Sequence, residues 1–523
     1  MKMFTQRKKM LSLITLSLFL LITACSGGNA PEKPQQSSPP ASPTASATEN
    51  TGGQAADTPS YYSEKPASIR MFTNSLQSWP YNKDWPVWNW IKEDTNITVN
   101  VEIPTGNYNE TLALNIASKD LQDILYVPSD LTSKYGAEGV FLDLAQHLDK
   151  MPNVSRFLEE NPQLKARVTA PDGEIYHILH DGAGITNQMI MFYREDIFNK
   201  HNLSVPTTWD ELYEVSKELK ALYPDSFPFI YRHGLGNLSN FAPSFGTFPS
   251  YFPDPETGKA RYGPIEDEFK DVITYLHRFY KESLSPPDFL SMDPKTWTQS
   301  MVTNNSFITV QYIGQMEIIN NQLSEGNLKL LPPPAGTGGK GYIADTNYEV
   351  HGFAVSSQTK NVDAVLKLID YYYSEEGSDK LSWGKENETY TVENGVRKFK
   401  PEHKEFTDLR KNIGIMTPGA HGKFDTAALI SMINEKESYA YEEAPKYAFP
   451  VQVVTPNFRE DELERFTLVN TSIRKHYEEN MAKFIIGDRP LEQWDAYVDE
   501  VKKLGVEEMI QLHQTAWDRQ SGK

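Results

Sequence analysis

Between Ser68 and Pro128 the apolar pattern changes period repeatedly, and this alternation constrains the fold more than any other feature of the chain. Ser68–Thr73 reads as a strand. Asp84–Asp94 carries Trp85, Val87, Trp88 and Ile91 at helical spacing. Ile97, Val99, Val101 and Ile103 then alternate strictly, the period of a strand with one buried face. Tyr108–Ser118 returns to helix, and Asp123–Val127 is a short apolar strand ended by Pro128. A β-α-β-α-β run of this kind predicts an α/β fold with a mostly parallel sheet flanked by helices. Ligands of such sheets gather at the carboxyl ends of the strands. Here those ends are the loops around Asn74–Tyr81, Thr105–Tyr108 and Pro128–Asp130.

Further along, Pro171-Asp172-Gly173 turns into Ile175–Leu179, and Gly182-Ala183-Gly184 leads to a new apolar strand, Met189–Tyr193. Thr208 and Glu211 form a capping-box pattern before a helix with Leu212, Val215, Leu219 and Leu222 on one face. Ser306–Tyr312, Leu328–Leu331 and Gly352–Val355 read as strands. Asn361 caps a helix whose buried stripe is Val362, Val365, Leu366, Ile369 and Tyr373, with Gly377 near its end. The tail is helical over Leu491–Leu504 and Glu507–Trp517.

The N-terminus carries an address. Lys2, Arg7, Lys8 and Lys9 precede an apolar stretch, Met10–Leu21, and then Ile22-Thr23-Ala24-Cys25. This is the order of a secretory signal peptide, and the stretch is shorter than the ~20 residues a membrane span needs. Its ending resembles the bacterial lipobox, which implies cleavage before Cys25 and lipidation of its thiol. Ser26–Ser60 has almost no large apolar residue, so it cannot offset its ordering entropy and reads as a flexible tether.

Asp plus Glu number 70 and Lys plus Arg 51, a net charge of −19. Nucleic acid is a poor partner for so acidic a chain. Cys25 is the single cysteine, which excludes internal disulfides and cysteine-based zinc sites. Gly336-Thr337-Gly338-Gly339-Lys340-Gly341 lacks the Ser or Thr and the upstream glycine of a phosphate loop. Asp254-Pro255-Glu256-Thr257-Gly258 is too short for an EF-hand and reads as a turn. No His-Glu-x-x-His occurs, and no pair of the 11 histidines has a metal spacing. No catalytic residue, metal or cofactor is therefore expected.

Four segments in order resemble extracellular solute-binding proteins of the family that includes maltodextrin-binding protein. One is Ile175–Glu211, with Phe192-Tyr193-Arg194-Glu195-Asp196 at a strand end and Val205-Pro206-Thr207-Thr208-Trp209 opening a helix. The others are Ser306–Asn320, Leu328–Gly377 and the tail Phe484–Arg519. The resemblance implies two α/β lobes with a ligand cleft between them, and an oligosaccharide passed to the permease subunits of an ABC importer. It implies a monomer outside the cell membrane, held there through Cys25. Some large members have a calcium loop after the helix matching Trp209–Leu222. Only Tyr223-Pro224-Asp225-Ser226-Phe227 stands there, so no calcium site is expected.

Crossings near Leu179–Ile185 and Pro332–Tyr342 divide the chain accordingly. Residues 1–24 are the signal peptide and 25–65 the lipid-anchored flexible linker. The N-terminal lobe is 66–182 plus 335–378, and the C-terminal lobe 183–334 plus 379–523. Sugar faces stack on aromatic rings while polar side chains hold hydroxyls. The candidates at strand ends are Asn74, Trp79, Tyr108, Ser129 and Asp130 in the first lobe, with Tyr348 and Glu349 after the return crossing. In the second they are Arg232, His233, Asn237, Tyr312, Gln315, Trp383 and Glu386. Trp85, Trp88 and Trp297 sit on helical stripes and are assigned to the core. A polysaccharide-active enzyme on the same anchor remains the rival reading, because carboxylates are abundant, and a structural surface lipoprotein is a third.

The anchor has a direct test. Acyl chains supply about 0.8 kcal/mol per buried methylene, so Cys25→Ala is expected to move the protein from the membrane to the soluble fraction. Retention of that variant on membranes after a salt wash would overturn the assignment.

Overall fold

The structure, a computed structural model, describes residues 58–521 except 78, 324–325 and 347–349, without the side chains of 130, 133, 183, 435 and 436. The signal peptide, Cys25 and most of the linker lie outside the described residues. In chain order the strands are β1 (Ala67–Phe72), β2 (Ile97–Glu102), β3 (Ile124–Pro128), β4 (His177–Leu179), β5 (Met189–Arg194), β6 (Phe229–Ile230), β7 (Tyr251–Pro253), β8 (Ala260–Tyr262), β9 (Ile308–Tyr312), β10 (Leu328–Leu331), β11 (His351–Val355), β12 (Tyr390–Glu393) and β13 (Val396–Phe399).

Two sheets organise the molecule. One has the order β2-β1-β3-β11-β4 and the other β10-β5-β9-β6, while β7-β8 and β12-β13 are separate hairpins. In the first sheet β1 is parallel to β2 and β3, and β11 runs against β3 and β4. In the second, β5 runs against β9 and β10, and β6 is parallel to β9. Each sheet is thus mostly parallel as expected, with one strand reversed for a common reason. Strands β1, β3 and β4 end at the edge facing the other lobe. Strand β5 begins there, just after the chain has crossed from β4, and β11 begins there after the return crossing. A strand that enters a sheet from its neighbour must run against strands that end at that edge.

Side-chain alternation builds a core on each face. Ile69, Met71, Tyr126, Phe353 and Val355 point into one cluster, while Phe72, Leu125, Val127 and Ala354 point into another on the opposite face. The second sheet does the same with Met191, Tyr193 and Val310 against Ile190, Phe192 and Leu330. Trp85, Trp88 and Trp297 are buried, as their stripes required. Thr208 accepts from the Glu211 N–H and caps its helix. Asn361 does not cap: its amide donates to Asp123, and the helix it precedes, Val362–Tyr373, stops at Ser374, which caps the next one.

The first crossing falls within Leu179–Ile185 as expected, but the return crossing does not fall at Pro332–Tyr342. Residues 332–344 stay on the second lobe: Ala335 bonds to Thr207 and Trp209, Ser244 donates to the Tyr342 carbonyl, and Ile343 lies in the second-lobe core. A Cβ on Gly341 would sit 1.8 Å from the Pro333 oxygen, so close backbone approach, not hinge motion, explains that glycine. The return crossing falls between Ala344 and His351. The first core also runs on past residue 379, through Leu381, Trp383, Tyr390, Phe406, Phe424 and Leu429, before Ala440 and Tyr441 join the second lobe. A third crossing thus lies between Leu429 and Ala440. At the other end, Tyr61 is buried against Tyr371 and bonds Glu376, and Ser60 Oγ is 3.2 Å from Asp370, so the first lobe begins before residue 66.

The first crossing is pinned. Asp181 donates its N–H to the Gly422 carbonyl and accepts from the Phe424 N–H, each at 2.9 Å. Gly182 has φ 89°, and a Cβ there would lie 2.2 Å from the Phe424 oxygen. Gly182→Ala is expected to cost about 1–3 kcal/mol for the backbone conformation alone, with the clash added. Gly338→Ala, in open space, should stay within about 0.5 kcal/mol of the parent. Equal melting temperatures for the two variants would remove the pinned-crossing account.

Candidate functional site

Because crossings join the two sheets at one edge of each, the carboxyl ends of β1, β3 and β4 share a cleft with those of β6 and β9. The first-lobe wall begins where β1 runs out into Thr73 and Asn74, whose Oγ1 and Oδ1 are buried without partners. The loop then folds back: Trp79 N–H donates to Leu76 O at 3.1 Å, and Tyr81 N–H to Ser75 Oγ at 2.9 Å. This turn sets Trp79 half-buried on the lobe surface, with the Arg410 guanidinium 4.5 Å from its ring centroid. Such a cation over an indole face contributes about 0.5–1 kcal/mol and fixes the ring plane.

Arg410 belongs to the helix Phe406–Asn412 of the first lobe, and its positive charge acts on Tyr441 of the second. Burial nevertheless keeps the Tyr441 hydroxyl protonated. That hydroxyl lies 3.7 Å from where a Cβ on Gly314 would stand, and Gly314 follows Tyr312 at the end of β9. His233 meets Tyr312 edge-on, ring centroids 6.0 Å apart, and its Nε2 is 3.3 Å from Gln311 Oε1. The Arg232 guanidinium lies 5.4 Å from the Trp297 ring. A strip of rings and polar groups thus runs from Trp79 through Arg410, Tyr441 and Gly314 to Tyr312, His233 and Arg232, with both lobes contributing.

The expected residues divide on this geometry. Trp79, Arg232, His233, Asn237, Tyr312 and Gln315 come together along the strip or directly behind it, and Asn74 stands at its first-lobe end. Tyr312 is 37% exposed, enough for a ring face to be reached. Ser129 stands at the end of β3, where its N–H donates to Val350 O, away from the rings but beside a cavity of about 380 Å³ lined also by Leu179, Val454 and Phe458. Tyr108 points inward: it stacks on Phe72 at 5.1 Å and its hydroxyl bonds the Tyr126 carbonyl. Trp383 is a correction. It is 5% exposed, stacks on Phe399 at 5.0 Å, donates Nε1–H to Asp425 at 2.8 Å, and belongs to the first lobe. Glu386 is exposed in the turn leading to β12, remote from the strip. Tyr348, Glu349 and the Asp130 side chain lie outside the described residues.

Sequence reasoning missed three residues beside the strip: Arg410, on the part of the first lobe that runs past residue 379, and Glu437 and Tyr441, where the chain passes back to the second lobe. Glu437 is 2% exposed, and its Oε1 has no partner and sits 3.8 Å from the Gly314 Cβ position. Behind the first-lobe wall His180 Nδ1 and His421 Nε2 are 3.0 Å apart, and the His421 Nδ1 reaches Thr417 O at 3.0 Å. Burial holds both imidazoles neutral, with His421 lowered to about 4. Among the described residues no three His, Cys, Asp or Glu side chains are grouped to hold a metal ion.

Burial first, and the Glu317 charge second, push the Glu437 carboxyl up to about 8 from near 4.5. Unfolded, this group ionises near pH 4.5; folded, it keeps its proton to about pH 8. The unfolded state therefore binds fewer protons between those values, and folding stability falls as pH rises through the window. Glu437→Gln removes the ionisation and keeps the shape. Its melting temperature should match the parent near pH 4 and exceed it at pH 8; an equal difference at both pH values would contradict the burial account.

The family model for bacterial extracellular solute-binding proteins matches residues 81–379. A fructooligosaccharide ABC transporter substrate-binding protein, FusA of Streptococcus pneumoniae, is 22% identical over 480 residues, 82% of this chain and 86% of its own. The polygalacturonan/rhamnogalacturonan-binding protein YtcQ of Bacillus subtilis is 24% identical over 458 residues, 82% of this chain and 87% of its own. Among solved structures, the alginate-binding protein AlgQ2 without calcium ion superposes with a TM-score of 0.72 at 23% identity, covering 88% of this chain and 99% of that one.

Proposed function

The chain belongs to the bacterial extracellular solute-binding protein family, and we propose that it captures an oligosaccharide between its lobes for the permease subunits of an ABC importer. In this reading it works as a monomer, held to the outer face of the cell membrane by a lipid on Cys25. The observation that carries the reading is the strip from Trp79 to Tyr312. A sugar that contacts Trp79 and Tyr312 together draws the lobes closed and loses most of its surface to protein, as small-ligand sites do. Both relatives are named for binding a saccharide, and FusA also for an ABC transporter. They differ on charge, since fructooligosaccharides are neutral and polygalacturonan is acidic.

A hydrolase reading would need an acid at the scissile bond. Glu437 has the raised pKa for that role, but it is 2% exposed with Oε1 buried, so it offers little surface to a bond in the cleft. Incubation with labelled oligosaccharides separates the two activities, because a binding protein returns its ligand at full length.

The ring assignment makes a paired prediction. Trp79→Ala is expected to weaken calorimetric affinity by roughly tenfold to a hundredfold, by analogy with the 1–3 kcal/mol of base–aromatic stacking, with little change in melting temperature. Trp383→Ala should behave in the opposite way, losing about 3–5 kcal/mol of stability while its folded fraction binds like the parent. Parental affinity for Trp79→Ala would remove that ring from the site.

A further inference from the structure

The second-lobe wall carries an imbalance of hydrogen-bond donors. Arg232 stands just beyond the end of β6, half-buried, with its Nε desolvated and without an acceptor. Other arginines in comparable surroundings are matched by carboxylates. Arg194 pairs with Asp196 at 2.6 Å, Arg261 with Glu266 at 2.7 Å, and Arg489 with Glu500 at 2.9 Å. Among the described residues no carboxylate pairs with Arg232, and the ionisable groups coupled to it are the Tyr312 phenol and the His233 imidazole, neither of them an acid that would pair with it at neutral pH.

Its surroundings repeat the pattern. Asn237 and Gln311 are each 0% exposed. Asn237 Oδ1 accepts the His233 N–H at 2.9 Å, and Gln311 Oε1 accepts the Tyr312 N–H at 3.0 Å. Backbone donors thus fix both amide orientations, and the Nδ2 and Nε2 groups left over are buried without acceptors. The buried groups left unpaired around His233 are all donors. An unmatched, partly desolvated guanidinium is costly to a fold. It is compensated when a ligand brings the anion, and the planar fork of arginine fits a carboxylate bidentately.

We propose that the Arg232–Tyr312 wall is a carboxylate subsite, so that the captured oligosaccharide contains an acidic sugar. This rests on the oligosaccharide reading above and narrows it to a chemical class. Arg232 supplies the charged pair through its terminal nitrogens, and the exposed Tyr312 ring and hydroxyl flank the same sugar.

The test is calorimetry of the full mature chain against trimers of galacturonate, of mannuronate and guluronate, and of sialyllactose, beside neutral maltotriose and kestose. The acidic ligand that binds is then compared with its carboxyl-reduced form. The expected result is at least a tenfold preference for the acidic form in the unaltered chain. Arg232→Gln should erase that preference, and Arg232→Lys should restore part of it. Binding of a neutral trimer alone, or of acidic and reduced forms equally, overturns the subsite and leaves the oligosaccharide reading standing. Failure of every saccharide to bind overturns both. The comparison of acidic and reduced ligands needs no variant, so poor folding of Arg232→Gln would not blunt the test.

Discussion

The backbone pairing of Asp181 with Gly422 and Phe424 holds the first crossing against the segment that leads into the third. Much of the site follows from it. Beside the same crossing, Thr346 Oγ1 donates to the Asn187 carbonyl, and Gln188 Nε2 reaches Ala344 O at 3.2 Å, so the outgoing and returning segments lie side by side. Ile185 and Ile433 each pack against both a first-lobe and a second-lobe core. Three passages at one edge leave the lobes few ways to move except by turning about that edge. They also explain why β5 and β11 oppose their sheets: both begin where a crossing delivers the chain.

The same geometry determines what the sequence could disclose. Period-2 and period-3.6 patterns are local, and the elements that depend on them, β1, β2, β3 and the helix after Thr208, were legible. So were Trp85, Trp88 and Trp297, whose apolar partners recur on their own helices. Trp383 was not. Between Ser382 and Gly384 it reads as a loop ring, yet Gly384, with φ 82°, ends a helix whose last side chain turns inward onto Phe399. The partner that buries it lies on a hairpin formed later in the chain. The return crossing expected at 332–342 was misplaced in a similar way, because a glycine needed for close approach and one needed for a crossing look alike in sequence. Arg410, Tyr441 and Glu437 were hidden for a third reason. Arg410 lies on a first-lobe segment beyond residue 379 and the other two at the crossing that follows it, and no composition change marks either.

The electrostatics of the cleft differ from those of the whole molecule. A net charge of −19 acts at long range and is screened beyond about 8 Å at physiological ionic strength. Inside the cleft short-range terms dominate. Burial holds Glu437, His180 and His421 in their neutral forms, so these three carry little charge at neutral pH. The cations of the strip, Arg410 and Arg232, stand one on each wall.

This separation has an energetic logic. Closing a cleft removes its floor from water first and most completely, and desolvating a charge there would oppose closure by several kcal/mol per ion. Neutral imidazoles and a protonated carboxyl buried behind the walls avoid that opposition. Charges on the walls are desolvated only where a ligand covers them, so their cost arises together with the interaction that offsets it. An empty cleft then has little reason to shut, because Arg232 would lose water and gain no partner. With the proposed site, closure is favoured only when something that accepts hydrogen bonds lies between Trp79 and Tyr312, which is what a capture protein requires of its resting state.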